Sequence, residues 1–129
     1  MATVEAPIHD NVKRALVEGD EHSTALVMRS LKNTERVYAN AAAAEVLRLE
    51  NEFPGDFSKI AHLVRGSNYR EVFQETGDLD SGVWSAGQVM GLIQDVPTCK
   101  ELADRIIAEA EEIITGRMAS VVVAESDAT

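Results

Sequence analysis

Cysteine, proline and aromatic residues are scarce in this 129-residue sequence: one Cys, three Pro and an aromatic fraction of 5%. A single cysteine, Cys99, allows no intrachain disulfide and suits a reducing cytoplasm. Few rings beside abundant alanine argue for closely packed helices rather than a sandwich filled by large side chains. No apolar run approaches the roughly 20 residues needed to cross a bilayer. The first seven residues have neither the basic nor the apolar region of a secretory signal. Basic residues are few as well, 12 Lys and Arg against 22 Asp and Glu, for a net charge of −10 and a pI near 4.6. That balance excludes nucleic acid as a partner, because phosphates require a basic surface, and disfavours an anionic membrane. The charge is uneven: residues 71–129 hold 12 of the acidic and only 3 of the basic side chains. A solvated acidic half accounts for this better than an acidic docking surface.

Chemistry-bearing motifs are missing too. His9, His22 and His62 stand in no HExxH or HxH arrangement, so no metal site is expected. There is no GxGxxG and no Walker loop. Asp78 and Asp80 fall well short of an EF-hand and read as loop solvation. Cys99 beside a helix start reads as a small first-turn residue rather than a lowered-pKa nucleophile, and His9 as a surface residue. No complete catalytic set is present, and no catalytic residue is assigned.

What is present is helical patterning. Pro7, then Ile8, Val12, Ala15 and Leu16 at helical spacing, predict a first helix over 7–18, with Gly19 as a left-handed stop. Residues 24–28 read as a short strand with hardly a partner in the chain. Asn33 and Thr34 are placed to cap a helix running to about Asn51, with Val37, Tyr38, Ala41, Ala42, Val46 and Leu49 on one face. Pro54-Gly55 ends that segment, and Asp56 caps a helix from Phe57 to Val64. A further helical turn or two from Asn68 ends at Gly77. Residues 77–83 form a loop, and residues 84–94 are expected to be helical, with Gly87 and Gly91 on one face for close packing. Thr98 with Glu101 makes a capping box. The helix it opens carries Leu102, Ala103, Ile106, Ile107, Ala110, Ile113 and Ile114 as one stripe and should stop at Gly116. Residues 126–129 read as a frayed tail.

Three ordered blocks carry a resemblance. The first is Gly77-Asp78, Gly82, Trp84, Gly87-Gln88, Gly91 and Ile93, followed by Asp95-Val96-Pro97-Thr98 and Glu101-Leu102. The second is Ala2-Thr3-Val4-Glu5-Ala6-Pro7-Ile8-His9, and the third is Val27 to Thr34 with the R-x-x-x-N-T-x-R pattern of Arg29, Asn33, Thr34 and Arg36. Together they resemble the C-terminal segment of the nitronate monooxygenase (2-nitropropane dioxygenase) family. Members are FMN-dependent (β/α)8 barrels that oxidise alkyl nitronates with O2 to a carbonyl compound and nitrite. Close relatives act as NADH:quinone or enoyl-ACP reductases.

The resemblance implies a mainly α fold: the helical C-terminal region of a flavin-dependent (β/α)8 barrel, lacking most of the barrel, whose full form takes about 250 residues. Residues 1–20 would be the end of the barrel and its closing helix, 21–118 a helical cap, and 119–129 a tail. The family's phosphate loops and catalytic histidine would lie upstream, so FMN and a nitronate substrate are expected in the intact enzyme and no cofactor for this chain alone. Ser85, Gly87 and Gln88 are the residues that would come near flavin or substrate. For the glycines, helix packing is the favoured alternative. The barrel-facing surface would be open to association. Two other readings are a stand-alone acidic helical interaction module and a fragment of a related quinone or enoyl-ACP reductase.

Overall fold

The computed structural model describes residues 1–121. Its elements are α1 (Asp10–Glu18), β1 (Thr24–Val27), β2 (Glu35–Tyr38), α2 (Ala41–Glu52), α3 (Phe57–Val64), α4 (Gly66–Arg70) and α5 (Cys99–Glu112). A π-helical turn, Glu71–Glu75, follows α4, a 3-10 turn spans Gln88–Leu92, and π-helical winding over Ile113–Met118 prolongs α5. The fold is mainly α, as expected. The chain divides into two units, one of Met1–Ala2 with Ala6–Val96, the other of Thr3–Glu5 with the chain from Pro97. Among the described residues no helix is long and apolar enough to cross a membrane.

In the larger unit, α1 starts later than Pro7 because His9 is its cap: the Nδ1 of His9 accepts from the Asn11 N–H at 3.2 Å. Val12, Ala15 and Leu16 are buried as their spacing requires. Gly19 is not a left-handed stop, since its φ is −78° and ψ 164°. A Cβ there would run into the Met90 methyl and lie 3.0 Å from the Ala15 carbonyl, so close packing is what asks for glycine.

β1 does have a partner in this chain. Residues 35–38, expected within a helix from Asn33, form β2 instead and pair antiparallel with β1, from Thr24↔Tyr38 to Val27↔Glu35. Residues 84–86, expected to open a helix, are extended with Val83 along the other side of β2 through a Val37↔Ser85 bridge. There the Tyr38 N–H donates to the Trp84 carbonyl at 3.0 Å and the Ala86 N–H to the Arg36 carbonyl at 3.3 Å. Both corrections share one cause. Three short segments satisfy one another's backbone groups, and such pairing overrides a local helical pattern.

Pleating sends alternate residues to two cores. Val37 and Val83 join Val27, Ala42, Ala43, Val46 and Ile60 in one. Trp84 and Ala86 join Val12, Leu16, Phe73 and Met90 in the other, with Tyr38 packed against them. The cap of α2 is Asn40, not Asn33 or Thr34: its Oδ1 accepts from the Ala43 N–H at 2.8 Å. The same side chain donates to the carbonyls of Leu79 and Gly82, tying the 77–83 loop to α2. α3 is capped by Asp56 as expected. Gly87 and Gly91 share no helical face, because 88–92 is a 3-10 turn.

In the smaller unit, the Thr98–Glu101 capping box is present and opens α5. The Val4 N–H donates to the Pro97 carbonyl at 2.9 Å, and the Glu5 carboxylate accepts from the Cys99 N–H at 2.9 and 3.1 Å. Gly116 does not stop the helix, which winds on to Met118. The apolar stripe lies along one face of α5, and nothing within this unit covers Ile106, Ile107 or Ile114. Residues 126–129 lie outside the described residues.

Two outcomes follow. Asn40→Ala removes a cap and strands two carbonyls, and should cost about 3 kcal/mol in urea unfolding followed by Trp84 fluorescence. Asn40→Asp keeps the cap acceptor but sets an oxygen against the carbonyls of Leu79 and Gly82, so it should be no more stable than the alanine variant. Recovery by aspartate would mean that only the cap matters.

The second concerns acid. Backbone N–H groups, of Cys99 for Glu5 and of Thr98 for Glu101, hold both carboxyls below the ordinary value of 4.5. A depressed folded pKa stabilises fully above the unfolded value and is lost as pH falls through the folded one. Amide-exchange protection at Cys99 and Glu101 should therefore hold at neutral pH and fall away below about pH 4.5, whereas Glu101→Gln should blunt the acid dependence while keeping the neutral-pH protection. Protection that is flat across this range would contradict the assignment.

Candidate functional site

Trp84 anchors the segment that holds the candidate residues. It is 1% exposed, stacks on Tyr38 with ring centroids 4.6 Å apart, and meets Phe73 edge-on at 5.6 Å. Its indole N–H donates to the Leu79 carbonyl at 3.2 Å, so the ring is satisfied as well as packed. Strand alternation puts Ser85 on the face opposite Trp84, the face that Val83 and Val37 share. Ser85 is exposed, and its hydroxyl donates to the Glu35 carboxylate across β2. Gly87 and Gln88 follow, also exposed, where the chain leaves β2 and enters the 3-10 turn.

The three candidates thus lie together on one exposed edge. Gly87 has only Val89 atoms, at 3.7 Å or more, near where a Cβ would stand, so a ligand could approach its backbone. Gly91 differs: a Cβ there would come within 3.1 Å of the Glu21 backbone and carboxylate. For Gly91 the packing role holds, though the neighbour is a loop rather than a helix.

The Gly77–Val83 loop is built around backbone capture. Gly77 has φ +66°, and a Cβ would collide with the His9 ring, while its carbonyl accepts from the Asn11 amide at 3.0 Å. Asp78 accepts from the Asp80 N–H at 3.0 Å, and Asp80 accepts from the Ala41 N–H at 2.9 Å at the start of α2. Both aspartates therefore serve the loop, and among the described residues no group of three potential ligands could hold a metal ion.

The histidines and Cys99, for which no site was expected, form none among the described residues. His9 caps α1 and packs on Gly77, more than the surface residue expected. His22 and His62 are exposed on separate elements, and the Cys99 thiol is exposed in the smaller unit.

A buried acid was missed. Glu50, 9% exposed in α2, accepts from the Met28 N–H at 2.6 Å, the Ser30 N–H at 3.1 Å and the Ser30 hydroxyl at 2.7 Å. It holds the β1–β2 connection where Met28 and Lys32 take φ of 57°. A glutamate inside a helix gives no sequence sign of such a partner.

No family model matches the sequence. Over 34 residues it is 53% identical to (3aS,4S,5R,7aS)-5-hydroxy-7a-methyl-1-oxo-octahydro-1H-indene-4-carboxyl-CoA dehydrogenase of Rhodococcus jostii (strain RHA1), a match covering 26% of this chain and 10% of that protein. In structure it is similar to FabK from Thermotoga maritima, with a TM-score of 0.81 and 25% identity over 94% of this chain and 37% of FabK. A FabK mutant from the same organism matches with a TM-score of 0.74 and 21% identity, over 94% of this chain and 34% of that one. The chain thus spans little more than a third of the solved structures it matches, and its fold is that of part of a (β/α)8-barrel protein.

The loop geometry makes one prediction. Gly77→Ala forces a left-handed backbone and a clash with the His9 ring, and should cost about 2–4 kcal/mol in urea unfolding. Gly66→Ala, where a Cβ meets nothing within 4 Å, is the control and should leave the midpoint nearly unchanged. Equal effects from both would remove the case for a constrained loop.

Proposed function

We propose that this chain is a segment of a flavin-dependent oxidoreductase, one that shapes and covers the substrate cavity while the flavin is held elsewhere. The observation that carries this reading is the match of 94% of the chain to FabK at a TM-score of 0.81. The partial identity to a dehydrogenase fits the same broad class. In this reading Ser85, Gly87 and Gln88 line the cavity edge, with the Ser85 hydroxyl, its proton given to Glu35, able to accept from a ligand and the Gln88 amide able to orient one.

The residues present do not fit a flavin phosphate. Such a group sits best at a helix N-terminus with open N–H donors. Here the starts of α2, α3 and α5 already carry carboxylates: Asp80 on Ala41, Asp56 on Ser58, and Glu5 with Glu101 on Cys99 and Thr98. These would repel a phosphate. No chemical step is therefore assigned to this chain's own residues.

Two substrates suit the class. The Gly77–Ile93 block with Asp95-Val96-Pro97-Thr98 supports an FMN-dependent nitronate monooxygenase, and the FabK likeness supports an enoyl-ACP reductase.

The 129-residue chain purified alone should show no visible flavin absorbance and no quenching of added FMN. Stoichiometric flavin retained through gel filtration would overturn this assignment of roles. In an intact enzyme carrying this segment, Gln88→Ala should raise KM for the substrate by about tenfold, the size of one lost orienting hydrogen bond. An unchanged KM and kcat would remove Gln88 from the cavity edge.

A further inference from the structure

We propose that the open edge at Ser85 takes one extended, uncharged amide unit of the substrate. Such a unit points an N–H and a C=O to the same side of a chain, as one residue of a peptide or an amide-linked arm does. The inference rests on the reading of that edge as part of a substrate cavity. The Tyr38 N–H donates to the Trp84 carbonyl and the Ala86 N–H to the Arg36 carbonyl, on either side of the Val37↔Ser85 bridge. In an antiparallel ladder that pattern makes Val37 and Ser85 a non-hydrogen-bonded pair, whose members direct their own N–H and C=O away from each other. Ser85 therefore aims both groups off the free side of the sheet, where neither has a partner among the described residues.

The neighbours limit what fits. Val83 and Gly87 are the next residues to face the free side, because alternate residues of an extended segment do so. Val83 has given its N–H to the Leu63 carbonyl at 3.1 Å. The Gly87 carbonyl accepts from the Met90 N–H at 3.1 Å as the chain turns away. An added strand would need those groups. Of the three residues, Ser85 alone keeps both donor and acceptor, so the slot is one residue wide. A matching unit would exchange two hydrogen bonds with it, as facing residues of a ladder do.

Glu35 sets the charge. Its carboxylate accepts from the Ser85 hydroxyl and has no ion-pair partner among the described residues. The hydroxyl oxygen is left to accept only, and an anion in the slot would meet a like charge. An acyl group carried on an amide-linked arm meets these terms. A free alkyl nitronate lacks the N–H and carries the wrong charge.

The probe is N-hexanoylglycine methylamide, titrated into the nitrogen-15-labelled full chain of 129 residues. The amide signals of Ser85 and Gly87 should shift saturably. The sarcosine analogue, methylated on the pairing nitrogen, should bind roughly fivefold more weakly, the size of one lost hydrogen bond. Hexanoylglycine, which ends in a carboxylate, should also bind more weakly, and Glu35→Gln should bring it within about twofold of the neutral probe. Ser85→Pro deletes an N–H that the sheet does not use, a change that an edge tolerates, so it should abolish the shift at Gly87. Ser85→Ala should keep that shift. An unchanged signal from buried Val12 shows that each variant folds, and the sarcosine comparison tests the same bond with no substitution at all. If all three probes move Ser85 and Gly87 alike, the edge binds ligands and the amide assignment is overturned. If none moves them, the edge is not a binding surface, and the inference falls with that reading.

Discussion

β2 is the constraint on which the larger unit depends. Four residues long, it is paired on one side with β1 and on the other with residues 83–86. A two-stranded ribbon would be marginal in water, and a third extended segment makes the arrangement sustainable. The alternation of β2 also divides the interior. Val37 goes into the core built on α2 and α3, while Tyr38 packs on the core built on α1, Phe73 and Trp84. Shifting the register by one residue would exchange these sets, sending Arg36 and Glu35 toward apolar surroundings. The position of Ser85, on the face opposite Trp84, is a consequence of that same register.

The acidity of the chain takes a particular structural form. Asp56, Asp80, Glu5, Glu101 and Glu50 are each hydrogen-bonded to backbone N–H groups, four of them at helix starts and Glu50 at the β1–β2 connection. A helix start concentrates partial positive charge, so a carboxylate there neutralises the orphan donors that the helix cannot satisfy itself. The aspartate-rich loop therefore resembles a cation site in composition alone. Its carboxylates point at donors, and a donor-satisfied carboxylate has little left to offer a metal.

Features governed by neighbours in sequence were legible without the structure. The Thr98–Glu101 box, the Asp56 cap, the turn at Gly77 and the buried face of Val12, Ala15 and Leu16 all depend on residues a few positions apart. Residues 35–38 and 84–86 were misread because their partners lie tens of residues away, and Val37, Tyr38 and Trp84 suit either period when seen alone. The true cap at Asn40 was hidden for the same reason: Asn33 and Thr34 cap equally well on paper, and only the strand ahead of α2 moves the helix start. Of the site, Ser85, Gly87 and Gln88 were found as a motif. Their shared edge comes from pairing with β2, which no motif describes. The reach of Glu50 to Met28 and Ser30 had no sequence sign at all.

The candidate edge and the core are mechanically one. Trp84 is held by Tyr38, Phe73 and the Leu79 carbonyl, and Leu79 in turn is held by Asn40. The backbone of Ser85 is fixed along with Trp84, because the residues on either side of it pair with β2. An exposed edge positioned this way is preorganised by packing, so meeting a binding group would cost it little conformational entropy. Trp84 and Asn40 hold the Ser85–Gln88 stretch in place, and Gly91 lets the turn that follows it pack on Glu21.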